Sequence, residues 1–107
     1  MIDPKQLNFQ KMDGILPVII QDAETKVVLM LGFMNEQALQ QTLQLQQVVF
    51  WSRTKQRLWR KGEKSGNTLN VVSINVDCDD DTLLISVKSD GPTCHTGAIS
   101  CFDSVAA

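Results

Sequence analysis

The sequence has no long apolar run. No stretch approaches the length needed to cross a bilayer as a helix, and residues 1–11 hold nothing like the apolar core of a secretory signal. A cytoplasmic protein is therefore expected. The net charge is only −2, so the surface as a whole is not built to hold nucleic acid or an anionic membrane, although a local patch can still attract phosphates. Internal repeats, low-complexity segments and linkers are also missing. With 107 residues and a 43% hydrophobic share, residues 1–107 are expected to form one domain with a modest core. A core of that size gains from pairing with a second copy, so a homodimer is expected.

Histidine occurs once, at His95, and cysteine three times, at Cys78, Cys94 and Cys101. An odd number of thiols in a reducing compartment suggests ligands, nucleophiles or buried fillers more than disulfides. The charge that is present is unevenly placed. Arg53, Lys55, Arg57, Arg60, Lys61 and Lys64 gather six of the ten basic residues into twelve positions, and Asp77, Asp79, Asp80 and Asp81 put four carboxylates into five. One segment suits anions and the other suits cations.

Hydrophobic periodicity predicts a β-rich α+β fold. Residues 16–22 and 27–32 read as a hairpin around the polar connection 23–26. Asn35 is a good N-cap for a helix over 36–46, with Ala38, Leu39, Thr42 and Leu43 at helical spacing. Residues 48–52, 69–78 and 82–88 are β-prone, and 91–107, with Gly91, Pro92 and Gly97, reads as loops able to carry function.

If the strand over 69–78 stays extended, alternation places Asp77, Asp79 and Asp81 on one face and Val72, Ile74, Val76 and Cys78 on the other. Converging carboxylates repel one another unless a hard cation such as magnesium or calcium, or a basic partner, offsets them; otherwise they form a solvated acidic turn. An EF-hand is excluded, because Thr82 stands where its loop needs glycine and Lys88 where it needs glutamate. As thiolates, Cys78, Cys94 and Cys101 would leave one position of tetrahedral zinc for water and acidify it, whereas unligated they are small buried hydrophobes. His95, beside Cys94, is placed for general acid or base work, against the plainer alternative of a surface histidine. The run Arg60-Lys61-Gly62-Glu63-Lys64-Ser65-Gly66-Asn67 can cradle a phosphate or be an exposed basic turn, and its spacing is not that of a Walker loop. Trp51 and Trp59 can stack a base or fill the core.

Taken together, Trp51-Ser52-Arg53-Thr54, the run from Leu58 to Asn67, Asp77-Cys78-Asp79-Asp80-Asp81, Gly91-Pro92-Thr93-Cys94-His95-Thr96-Gly97 and Ser100-Cys101-Phe102 resemble phosphoribosyl-AMP cyclohydrolase, in the family's own order. The resemblance implies hydrolysis of the N1–C6 bond of the adenine ring of phosphoribosyl-AMP in histidine biosynthesis. It further implies zinc held by Cys78 of one subunit with Cys94 and Cys101 of the other, and magnesium held by Asp77, Asp79 and Asp81. His95 is then the proton carrier, and Arg53, Trp59, Lys61, Ser65, Gly66 and Asn67 the substrate-binding set. In some organisms this domain is fused to a phosphoribosyl-ATP pyrophosphohydrolase. Trp51 stands where many relatives have tyrosine or phenylalanine. Two rivals fit the residues alone: a zinc-dependent nucleic-acid-binding module using Trp51, Trp59 and the nearby cations, and a structural dimer that zinc merely staples.

Overall fold

The computed structural model describes residues 2–107. Two short 3₁₀ turns, Pro4–Gln6 and Phe9–Lys11, lead into strands β1 (Ile15–Asp22) and β2 (Val28–Asn35), helix α1 (Glu36–Leu45), and strands β3 (Val49–Ser52), β4 (Arg57–Arg60), β5 (Leu69–Val76) and β6 (Leu83–Ser89). The α+β expectation holds. Residues 91–107 contain no helix or strand, as their glycines and proline suggested.

The main sheet has the order β2-β1-β6-β5, with β1 parallel to β6 and the other neighbours antiparallel; β3 and β4 form a separate hairpin. Every second residue of β1 and β6 points inward: Leu16, Val18 and Ile20, then Leu83, Ile85 and Val87, are all buried. They meet Met34 of β2, Ala38 and Leu39 of α1, and Val49 and Phe50 of β3 in one core. Removing apolar area of this kind from water is what holds so small a domain together, at about 25 cal/mol per Å².

The Asn35 side chain accepts from the Ala38 amide at 2.8 Å, as the sequence predicted, which contributes about 1 kcal/mol to helix initiation. The helix stops one residue early because Gln46 turns left-handed at φ 57°. Buried Thr42 ties it to the second hairpin, its hydroxyl donating to Ala38 O at 2.9 Å and accepting from the Val49 amide at 2.9 Å.

Two expectations need correction. Within the basic segment the sequence marks no strand, yet Arg57–Arg60 is β4, pairing Phe50 with Trp59 and Trp51 with Leu58. Four charged or bulky residues in a row mask the alternation that marks a strand. Second, the extended geometry does not run on past Val76. A bulge at Val72 breaks the register, and Asp77 begins a turn in which Asp80 is left-handed at φ 59°. The alternating-face account of the aspartates therefore fails, although the aspartates still meet.

Candidate active site

Between β5 and β6 the chain folds back over residues 77–82. The Asp77 amide donates to Thr82 O at 3.0 Å, the Asp80 amide to Asp77 O at 3.1 Å, and the Asp81 amide to Asp77 Oδ1 at 3.0 Å. This turn draws one carboxylate oxygen each of Asp77, Asp79 and Asp81 within 4.8 Å of one another. Three hard, anionic donors at that spacing fit a hard divalent cation. A second cation source lies inside the chain: Lys11 Nζ reaches Asp81 Oδ2 at 2.5 Å. The hydrogen bond from Lys11 holds the Asp81 carboxyl below its ordinary 3.8, and Asp81 in turn raises Lys11 above 10.5. Of the alternatives open at the sequence level, a basic partner is thus present, and nothing in the sequence near Asp81 pointed to a lysine seventy residues away.

The second cluster lies in the tail. Residues 93–99 make a miniature hairpin, with Thr93 N donating to Ile99 O at 3.2 Å, Cys94 N to Ala98 O at 3.1 Å and Gly97 N to Cys94 O at 3.0 Å. Gly97 closes it at φ 92°, a conformation that disfavours any side chain. The tail is then anchored on β2: the Cys101 amide donates to Leu29 O at 2.7 Å and the Ser100 hydroxyl to Val28 O at 2.6 Å. The β1–β2 register shifts at this point, and Leu29 is the residue the shift leaves over.

This anchoring brings Cys94 and Cys101 near enough for each thiol to influence the other's ionisation. The Thr96 hydroxyl donates to Cys94 Sγ at 3.1 Å and, with the Thr96 amide, holds the Cys94 thiol below its ordinary 9.0. Partial desolvation, and then the neighbouring Cys94, push the Cys101 thiol above 9.0 although the residue is largely exposed. Lys61 acts on both, favouring the thiolate. Two adjacent sulfur donors, one biased towards the anion, suit a borderline-soft cation such as zinc. Cys78 is exposed in the aspartate turn and joins no donor group with the other two cysteines among the described residues. His95 is exposed at the tip of the tail hairpin, one residue from Cys94.

The third element is the basic segment. Ser52, Lys55, Arg57, Trp59, Lys61 and Ser65 are among the residues lining an open cleft of about 380 Å³. Trp59 forms part of its wall while packing on Phe50, ring centroids 5.2 Å apart, so it is at once core and cleft. Lys61 Nζ lies 5.6 Å from the Trp59 ring centroid. Arg57 pairs with Glu63 at 2.6 Å and Arg60 donates to Gln47 at 3.1 Å, so two of the cations are already engaged in bracing the loop. Lys55, Lys61 and Lys64 form no ion pair among the described residues.

Asn67 joins the cleft loop to the thiol hairpin. Its Nδ2 donates to Pro92 O at 3.3 Å, and a side chain on Gly91 would run into the Asn67 amide. Gly62, at φ 88°, lets the Asn67 backbone pass where a Cβ would lie 2.5 Å away. The structure thus brings Trp59, Lys61, Ser65, Asn67, Cys94 and Cys101 into one region. Gly66, left-handed at φ 81°, serves the turn of the loop and is not among the residues lining the cleft. Arg53 stands apart, stacked with its guanidinium 3.9 Å from the Phe33 ring centroid and off the cleft lining. Lys11 and Thr96 are the members of these clusters that the sequence did not single out. Thr96 lay inside a quoted motif, but only the fold shows its hydroxyl turned back onto sulfur.

No helix among the described residues is long and apolar enough to cross a membrane. Residues 30–103 match the family model described as phosphoribosyl-AMP cyclohydrolase. The chain is 61% identical over 105 residues to the histidine biosynthesis bifunctional protein HisIE of Campylobacter jejuni, covering 94% of this chain and 51% of that protein. It is 58% identical over 102 residues to HisIE of Escherichia coli K12, with 95% and 50% covered, and 59% identical over 97 residues to HisIE of Bacteroides thetaiotaomicron, with 91% and 48% covered. The chain spans about half the length of these curated relatives. On the extent of that family match, the chain belongs to the phosphoribosyl-AMP cyclohydrolase family.

Proposed function

We propose that this chain hydrolyses the N1–C6 bond of the adenine ring of phosphoribosyl-AMP. Water adds at C6, the C6–N1 bond breaks, and N1 leaves with a proton, giving the formimino carboxamide ribonucleotide. The observation that carries this reading is the Asn67–Pro92 contact, which sets a cleft rich in cations against a pair of thiols. A phosphorylated nucleotide and a metal-dependent attack on its base need that juxtaposition.

On this reading Cys94 and Cys101 hold zinc with Cys78 from a second copy. That would explain why Cys78 lies apart from them within one chain, and it makes the active unit a homodimer. Zinc when bound supplies Lewis acidity and acidifies water at neutral pH. Asp77, Asp79 and Asp81 hold magnesium, a hard cation for hard oxygens. Lys61, Ser65 and Asn67 bind phosphate or ribose, the lysine as a point charge and the other two as hydrogen-bonding partners. Trp59 offers an aromatic face to the purine. His95, exposed beside Cys94, takes a proton from the attacking water and returns it to N1. Arg53 reaches substrate only by leaving Phe33. We place the protein in the cytoplasm, where its substrate would be made and its thiols stay reduced.

The test is the ultraviolet absorbance change on adding the zinc-loaded protein to phosphoribosyl-AMP, beside a chelator-treated sample and Cys94→Ala. Ring opening that both treatments abolish supports the reading. A folded, zinc-loaded protein without turnover overturns it, and salt-sensitive binding to single-stranded nucleic acid would then put a binding module in its place.

A further inference from the structure

We propose that Thr96 is a positioning residue for zinc capture, its hydroxyl clamping the Cys94 sulfur so that the thiol pair is set before the metal arrives. The inference rests on the zinc reading above and goes beyond it, since Thr96 is neither a ligand nor a group that touches substrate.

Three observations converge on this residue. Thr96 is exposed, so its hydroxyl could be satisfied by water, yet it points at sulfur, 3.1 Å from Cys94 Sγ. A hydroxyl in that place is ready to donate to the sulfur when it binds metal as a thiolate, a stronger acceptor than a neutral thiol. The backbone brings the two residues together: Cys94 N to Ala98 O and Gly97 N to Cys94 O close a turn that sets residue 96 beside residue 94. Finally, the other end of the pair is fixed independently, because Cys101 is pinned through its amide to Leu29 O at 2.7 Å. With the backbone held at both cysteines, what is left to set is the side-chain rotamers, and Thr96 restrains that of Cys94. Hydrogen bonds to metal-bound groups orient the ligand and tune its donation, and losing one typically weakens metal binding by about 10-fold to 100-fold.

The experiment compares wild type, Thr96→Val and Thr96→Ser as full chains. Zinc affinity is read by competition with a chromophoric chelator, and the sulfur-to-metal charge-transfer band is recorded on cobalt(II)-substituted protein. Valine keeps the shape of threonine without the hydroxyl; serine keeps the hydroxyl without the methyl. The expected result is zinc binding weakened about 10-fold in Thr96→Val, with the cobalt band moved to longer wavelength, and both restored in Thr96→Ser. Equal affinity and an unmoved band in Thr96→Val overturn the inference while leaving the zinc site standing. So does a loss that serine fails to rescue, which would mark a packing role. A wild type that takes up neither zinc nor cobalt overturns the zinc reading itself, and this inference with it.

Discussion

Lys11 and Asp81 are seventy residues apart in the chain and 2.5 Å apart in space, and the lysine enters a cluster of three carboxylates as a tethered cation. A divalent ion seeking that cluster must displace it. Lys11→Met should therefore tighten magnesium or manganese binding by up to about fivefold, the size expected of one exposed ion pair. Isothermal titration of the two proteins checks this, and equal affinities would show that ammonium and metal ion do not compete.

The same pair sets a pH window. Asp81 is depressed below 3.8, so its contribution is complete above the ordinary carboxylate range and fades as pH falls through the depressed value. Lys11 is raised above 10.5, so its contribution persists through neutral pH and fades only as pH rises through the raised value. Residues 8–11 should stay docked between those limits and loosen in acid. Hydrogen exchange at the Asn8 amide, which donates to Asp80 O at 2.7 Å, reports it, and protection that persists unchanged well below pH 3.8 would contradict the assignment.

The two thiols of the tail should differ in reactivity when no metal is bound. Hydroxyl and amide of Thr96 favour the Cys94 thiolate, while partial desolvation and the neighbouring Cys94 disfavour that of Cys101, exposed though it is. Alkylation with iodoacetamide near neutral pH, followed by peptide mass spectrometry, should label Cys94 first. Equal rates, or Cys101 ahead, would refute the ordering.

Gly62→Ala places a side chain against the Asn67 backbone and forces a left-handed alanine, a strain of roughly 1–2 kcal/mol before the clash is counted. The loop should shift, and with it Lys61 and Ser65. KM for the nucleotide should rise more than kcat falls, since the thiol pair is held from the other side by β2. A variant with unaltered KM would separate this loop from substrate binding.

Thr93 is buried, and its hydroxyl oxygen finds no hydrogen-bond partner among the described residues. An unsatisfied buried hydroxyl costs about 1–3 kcal/mol, so Thr93→Val should leave the melting temperature equal or higher. A clear fall would show that this hydroxyl is satisfied by a group outside the chain.

Local signals carried much of this far. Asn35 capped its helix because a short acceptor ahead of a 3.6-residue apolar pattern has one cheap place to go, and Leu16, Val18 and Ile20 were buried because alternation leaves little choice. The clusters were visible as residue types, since three near-adjacent aspartates meet in almost any turn. What escaped was everything decided by the tertiary path. The turn at Asp80, the bulge at Val72, the strand hidden in Arg57–Arg60 and the stacking of Arg53 on Phe33 each depend on neighbours distant in sequence. Lys11 is the extreme case, a lone lysine in a short 3₁₀ turn whose partner lies near the other end of the chain.

The tail does more than carry sulfur. β2 is an outer strand of the main sheet, with Leu31 and Val28 exposed along it, and strands of that kind invite another chain to pair. Ser100 and Cys101 occupy the carbonyls of Val28 and Leu29 at one end of that edge. Loosening of the tail would uncover those two carbonyls, so the segment that carries Cys101 also caps one end of an exposed sheet edge.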